Sequence, residues 1–363
     1  MSQVSNVITA CPTIQAKLNE EFAKATSLSA DEKMPFAEFL FSPANTTGIS
    51  GTISPGGGKV KTYQLTYWQR LLESSLLSNQ ANPNCTSGDT PEDNQAPYTL
   101  DTSVNLQTPG VTLTSTDLEA VCDPNSAIFA QLILREMDVL RRGVATRVSQ
   151  QGAALYGTYG ADGGYFTAGN SVGNVNTSDE LVIATLESGG TAPNKFYHAI
   201  LRAALDDIGM PDNVAIFGGT TLRSAYMAAL AGCCTSAGLD IGTLFAQYGY
   251  AFAYDKRLET ALASVNKGLV LAPGALQVLQ HVRAPWRDGM PGDVQAGSDY
   301  VHKALVDPQL GAVYDFSLKD DCGSISFNLT WTGKVIGMPN DMFNASDINT
   351  GITYVNKVLV TNP

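Results

Sequence analysis

From Ser126 to Tyr156 the chain runs without a proline and with only two glycines, Gly143 and Gly152. Asp123-Pro124-Asn125-Ser126 stands ahead of this stretch as a helix start signal. Phe129, Ile133, Met137, Leu140, Val144 and Val148 recur at steps of three and four, and Arg135, Arg141, Arg142 and Arg147 lie mostly off that stripe. The spacing predicts one helix of ~30 residues, about 45 Å long at 1.5 Å per residue, where the globular mean is ~12 residues. An element of that length forms the backbone of a domain, and the rest of the chain is arranged around it.

Upstream, residues Thr13 to Ala25 place Ile14, Leu18 and Phe22 four apart with Lys17, Asn19, Glu20, Glu21 and Lys24 on the other side, which predicts a short amphipathic helix. Ala44 to Gly58 is Gly, Ser, Thr and Pro, ending in Ser54-Pro55-Gly56-Gly57-Gly58, and is expected to be a joint that forms neither helix nor core strand. Lys59 to Trp68 is rich in β-formers and alternates, with Tyr63, Leu65 and Tyr67 at every second position. A second extended stretch runs from Tyr98 to Leu113, broken at Pro109-Gly110, and between the two lies a polar segment from Asn79 to Pro97. The simplest geometry is a long two-stranded excursion with an irregular tip, and such a ribbon is rarely stable without a partner surface.

Downstream, Pro193 to Ile208 carries a helical stripe of Phe196, Ile200, Leu201, Leu205 and Ile208, closed by Gly209. Val214 to Gly218 is a short buried-type strand, and Thr220 or Thr221 is expected to cap a helix through Leu222, Tyr226 and Leu230. With Tyr254 and Leu269 to Gly274 continuing the alternation, residues from about 190 to 285 read as an α/β unit. The period then changes: Ile325, Phe327, Leu329 and Trp331 alternate strictly with Ser326, Asn328 and Thr330, a half-buried antiparallel strand. Val313 to Leu318 is its expected hairpin partner across Asp320-Asp321-Cys322-Gly323.

Length and composition narrow the function. The 363 residues are enough for two or three packed units. With 44% hydrophobic and 15% charged residues, 34 Gly and 17 Pro, the chain is neither collagen, rod nor wholly disordered. Against 34 Asp and Glu stand 22 Lys and Arg, a net charge of −12, so no global basic field grips phosphates. An acidic wall can still enclose DNA without adsorbing it. No apolar run approaches the ~20 residues that span a bilayer, and Met1 to Asn6 lacks a secretory signal pattern, so the expectation is a chain made and kept in a cytosol.

Catalytic patterns are missing from the sequence. The cysteines Cys11, Cys85, Cys122, Cys233, Cys234 and Cys322 are scattered with no CxxC, which signals neither a zinc site nor a disulfide framework. His198, His281 and His302 are the only histidines, and no HExxH, GxSxG or P-loop pattern occurs, so a structural or solvated role is expected for each. Asp206-Asp207 point in different directions on a helix and Asp320-Asp321 fit a turn. Gly218-Gly219 follows a strand and opens a helix as an anion loop would, but lacks further glycines and a lysine, and reads as an ordinary strand-to-helix turn. No catalytic residue, cofactor or metal is therefore expected. What stands out is a set of reaching elements suited to interlocking with copies of the same chain.

In that order of elements the chain resembles the tailed-bacteriophage major capsid protein family, whose fold is shared with encapsulins and the herpesvirus capsid floor. The nearest local likeness is Asn266 to Gln277, followed by Asp307-Pro308-Gln309-Leu310-Gly311-Ala312-Val313-Tyr314-Asp315 and Met338-Pro339, stretches similar to capsid proteins of phages of Bacteroidetes and related hosts. The resemblance implies an α+β capsid fold: an N-terminal arm over 1–55, an extended β loop with its flanks over 56–113, a peripheral domain with a spine helix over 114–189, an α/β axial domain over 190–290, and returning peripheral strands with a C-terminal segment over 291–363.

The same resemblance implies a non-enzymatic protein whose copies form hexamers and pentamers in an icosahedral shell around double-stranded DNA, assembled in a host cytoplasm and residing in the virion. Scaffold, portal and decoration proteins are implied partners, DNA is enclosed without sequence-specific binding, and no membrane is involved. Tyr63, Leu65, Tyr67 and Trp68 of the extended loop and Arg135, Arg141 and Arg142 of the spine are the implied intersubunit contacts. Some family members crosslink a loop lysine to a neighbour's asparagine. Lys59 and Lys61 stand in the right region but no acceptor pairs with them, so no crosslink is expected. Two other classes stay open: an encapsulin-type cargo compartment, and a soluble α/β carbohydrate-active or binding protein.

Overall fold

Pro35 occupies the first helical position, where its missing N–H is no loss, and α1 (Pro35–Phe41) buries Phe36, Ala37 and Leu40. One more turn follows as α2 (Pro43–Thr46). Strands β1 (Gly51–Pro55), β2 (Val60–Tyr67) and β3 (Asn94–Asp101) form a separate sheet in the order β1-β2-β3. In this computed structural model the described residues are 20–21, 23, 33–46, 51–55, 60–67, 94–101, 104–114, 128–156, 174–175, 180–186, 197–207, 210–233, 250–282, 300–320, 324–339 and 356–362. Of the amphipathic helix expected from Thr13 to Ala25, residues 20, 21 and 23 are described and helical; the rest lies outside the described residues.

Two expectations about the ribbon are corrected. Within 44–58 the described residues form structure: α2 reaches Thr46, and β1 pairs antiparallel with β2 from Gly51↔Tyr67 to Pro55↔Tyr63. The excursion is therefore three-stranded. Glycine and proline are tolerated in β1 because it is an edge strand, one side of which needs no ladder partner. The polar tip also ends earlier than Pro97, since β3 begins at Asn94 and carries Pro97, again on an edge.

After β4 (Leu106–Gln107) and β5 (Val111–Thr114) comes α3 (Ile128–Ala153), 26 residues and roughly 39 Å long at 1.5 Å per residue. Its stripe is buried as the periodicity requires: Ile133, Met137, Val144 and Val148 are all 0% exposed.

Strands β6 (Asn174–Val175) and β7 (Leu181–Val182) precede α4 (Tyr197–Asp207), β8 (Val214–Gly218) and α5 (Thr220–Cys233). Then follow β9 (Tyr250–Tyr254), α6 (Lys256–Ala261), β10 (Lys267–Leu271) and β11 (Leu276–His281). The chain closes with β12 (Tyr300–Val306), β13 (Val313–Asp320), β14 (Ser324–Gly337) and β15 (Lys357–Thr361).

One six-stranded sheet has the order β6-β7-β15-β10-β8-β9. β8 and β9 are parallel and β10 is antiparallel to both β8 and β15, so this sheet is mixed. Helices α4 and α5 pack on it through Leu201, Leu205 and Leu222 against Ile216, Val270, Val358 and Val360. The C-terminal strand is thus an interior member of the α/β sheet.

The other sheet runs β11-β14-β13-β12, with β4 and β5 also paired to β14. Here the expected hairpin is present: β13 and β14 pair antiparallel from Asp315↔Thr330 to Asp320↔Ile325. Ile325, Phe327, Leu329 and Trp331 are buried and the residues between them half-buried, as the alternation requires. The chain is α+β, divided into one unit of 1–42, 100–148 and 278–334 and another of 43–99, 149–277 and 335–363.

Candidate assembly surface

Six of the seven residues singled out by sequence fall on two elements. On β2, Tyr63, Leu65 and Tyr67 take alternate register positions opposite Pro55, Ile53 and Gly51 of β1. Tyr63 is 8% exposed, and burial raises its phenol above the usual value. Trp68 lies outside the described residues.

On α3 the three arginines separate. Arg135, with 67% of its side chain exposed, lies 3.7 Å from Glu136 Oε1. Arg142 is 47% exposed and pairs with Asp138 Oδ2 at 3.0 Å. With Gln131, Val139, Thr146 and Gln150 these two make a continuous exposed stripe at steps of three and four. Val139, 46% exposed, gives the stripe an apolar centre between two cations.

Arg141 is different, and its place on a contact surface is corrected. It is 1% exposed and forks onto Asp307 of its own chain, Nε to Oδ2 at 2.8 Å and Nη2 to Oδ1 at 3.0 Å. Asp307 also accepts from the Gln309 and Leu310 amides at 2.9 and 3.1 Å and from Tyr314 Oη at 2.9 Å. Five donors around one carboxylate offset the desolvation that makes isolated buried charges so costly. The Tyr314 phenol is held well above its usual value, by burial first and then by Asp307. This cluster organises the β12–β13 connection, where Asp307 N donates to Ala312 O at 2.8 Å. A signal for Arg141 was available: it stands four after Met137 and three before Val144, inside the buried stripe.

His198 and the Gly218-Gly219 turn are each packed by side chains of the chain itself. His198 on α4 is held edge-on by Tyr197 and Tyr226, with ring centroids 5.3 and 5.5 Å away, and Tyr226 stacks on Phe252 at 4.8 Å. Burial in this aromatic nest pushes the imidazole down to about 4. At the Gly218-Gly219 turn the position at the helix start is filled from within the chain. Glu259, 4% exposed, accepts from Thr220 N and Oγ1, both at 2.7 Å, and from Lys256 Nζ at 2.6 Å. The expected cap is corrected accordingly: Gly219 takes the cap position, its carbonyl accepting from Arg223 N at 3.0 Å, and Thr220 is the first helical residue. Gly219 is required there because a Cβ would meet Val265 O at 2.5 Å.

Among the described residues no group of three His, Cys, Asp or Glu is placed to hold a metal, and no helix is long and apolar enough to cross a membrane.

No protein-family model matches the chain, and no curated protein matches it. Among solved structures it is similar to a virus-like particle from Pyrococcus furiosus, at 8% identity over 96% of this chain and 98% of that one, with a TM-score of 0.36. It is also similar to the capsid asymmetric unit of cyanophage A-1(L), at 10% identity over 87% and 92% with a TM-score of 0.39. A third is the capsid of a native GTA particle, at 12% identity over 85% and 86% with a TM-score of 0.35. TM-scores of this size fix no residue correspondence.

Proposed function

We propose that the chain is a structural shell protein, the major capsid protein of a tailed bacteriophage. Its copies form hexamers and pentamers that close into an icosahedral shell around double-stranded DNA. The observation that carries this reading is the ribbon: among the described residues β1, β2 and β3 form a sheet that shares no strand with the other two. A three-stranded sheet with two edges gains stability when those edges and faces are covered, and a second copy of the chain offers that cover. Repeated heterologous contacts of this kind close into rings and shells.

In this account the ribbon positions Tyr63, Leu65, Tyr67 and Trp68 are the contact candidates on one side, and the exposed α3 stripe of Arg135, Val139 and Arg142 on the other. A buried contact of this kind is worth roughly 25 cal/mol per Å² of apolar area. The domain roles implied by the resemblance (arm, extended loop, peripheral and axial domains) go with this reading, as do scaffold, portal and decoration partners, assembly in a host cytoplasm, a place in the virion and a role without catalysis.

The test is electron microscopy and content analysis of particles purified from expressing cells. Closed shells support the reading, and packaged DNA in infected cells supports the virion role. Shells holding a protein cargo would point to the compartment class instead.

A further inference from the structure

The ribbon is fastened at both ends, and both fastenings lie on one corner of the fold. On the entry side Asn45 is 0% exposed. Its Oδ1 accepts from the Gly274 amide at 2.8 Å, its Nδ2 donates to the Leu276 carbonyl at 2.8 Å, and its own carbonyl accepts from Gln277 Nε2 at 2.9 Å. The corner is the turn Ala272-Pro273-Gly274-Ala275, closed by the Ala275 amide donating to Ala272 O at 3.0 Å, with Gly274 at φ +82°. Proline followed by a left-handed glycine defines a turn whose own closing bond leaves the glycine amide unused. That amide is the one Asn45 satisfies. An asparagine side chain carries an acceptor and a donor side by side, so it pairs with the corner as a strand's backbone would.

On the return side, Tyr98 of β3 donates its hydroxyl to the Gly337 carbonyl at 2.9 Å. Gly337 belongs to the same corner. A Cβ built on it would lie 3.9 Å from Leu276 Cδ2, and the next amide, Met338 N, donates to Ala275 O at 2.9 Å. Asn45, ahead of the ribbon, is thus bonded to the backbone of the turn itself, and Tyr98, on the returning strand, to the end of β14, which the Met338 amide ties to that turn.

We propose that Asn45 and Tyr98 are positioning residues for assembly: they pin the two ends of the ribbon, Asn45 to the 272–276 turn and Tyr98 to the end of β14 joined to it, and so set the line along which the ribbon meets a second copy of the chain. The proposal rests on the shell reading above. A merely structural role predicts lower stability with unchanged particles. Positioning predicts altered particles from protein that is still folded.

The experiment compares full-length wild type, Asn45→Ala, Asn45→Asp and Tyr98→Phe by hydrogen exchange on unassembled protein and by electron microscopy of particles. For Asn45→Ala the expected result is exchange at least about tenfold faster in β1 and β2, with β8 and β10 unchanged, as for local release of one segment. Uniform closed shells should give way to open or mixed-size particles. Tyr98→Phe, which removes one oxygen, should do the same more weakly. Asn45→Asp keeps the acceptor for Gly274 but loses the donor to Leu276, and should fall between.

Uniform closed shells in both Asn45→Ala and Tyr98→Phe overturn the proposal, whether or not exchange in β1 and β2 rises. If Asn45→Ala fails to fold, Tyr98→Phe decides it alone. Wild type that forms no shells contradicts the shell reading and the assembly role with it, while the exchange comparison still decides whether the two residues pin the ribbon.

Discussion

Arg141 and Asp307 face each other in a place where either charge alone is expensive. Removing one partner strands the other, so Arg141→Met and Asp307→Asn should each lower unfolding free energy by about 3–5 kcal/mol. Urea denaturation at pH 7 measures this, and a loss under about 1 kcal/mol in both would contradict the buried pairing. Two other groups contribute to the pH dependence. His198 takes its proton near 6.5 in the unfolded chain and about 4 in the fold. Between those values the unfolded state binds the extra proton, so stability is full above about 6.5 and falls by roughly 3 kcal/mol as pH drops toward 4. Lys357 is pushed down from 10.5 to about 8 by burial, its Nζ donating to Met338 O at 3.0 Å and Asn356 Oδ1 at 2.9 Å. The sign is the same: between 8 and 10.5 the unfolded state again holds more protons, so stability rises with pH through that window. His198→Phe should flatten the acid limb of the stability profile and Lys357→Met the alkaline rise, both read from thermal midpoints across pH. A profile that keeps both limbs in the double variant would show that other groups carry them.

At the scale of elements, the C-terminal strand carries more than its length suggests. β15 pairs with β10 on one side, Leu359 opposite Leu269, and with β7 on the other, Val360 opposite Leu181. Leu359→Pro removes a ladder donor from an interior strand and should cost about 3 kcal/mol or more. Circular dichroism melts check this, and a midpoint shift under about 2 °C would place β15 outside the cooperative core. The strand was hard to read in sequence because its apolar run, Val358-Leu359-Val360, is three residues long and its partners lie far away along the chain. β14 was legible for the opposite reason: one face is buried and the other half-buried, so its side chains had to alternate. The α3 stripe was legible too, but Arg141 was hidden in it. An arginine is expected at the surface unless a carboxylate meets it, and Asp307 is brought there only by the β12–β13 connection. At the Gly218-Gly219 turn the sequence showed a strand opening into a helix. It did not show that Glu259, 39 residues beyond Thr220, supplies the negative charge. Gly219→Ala drives a Cβ into Val265 O and should destabilise α5 and its turn by about 1–3 kcal/mol.

At the scale of the molecule, each unit is assembled from three separate stretches of chain. Linker composition marks cuts along a sequence and does not by itself show which distant stretches share a core; the return of 291–363 to the peripheral domain was an expectation only through the resemblance. The ribbon was visible as β-forming runs around a polar tip. Its third strand was not, because Gly51–Pro55 has the composition of a joint and becomes a strand only by pairing with β2. Among the described residues the ribbon sheet shares no strand with the other two sheets, and the self-assembly proposed above rests on that feature. The most direct measurement is negative-stain electron microscopy of the purified full-length chain after size-exclusion chromatography, at low and moderate salt. Closed shells or capsomer rings eluting ahead of monomer are the expected result. A monodisperse monomer or dimer in both salts, at every protein concentration reached, would contradict the account.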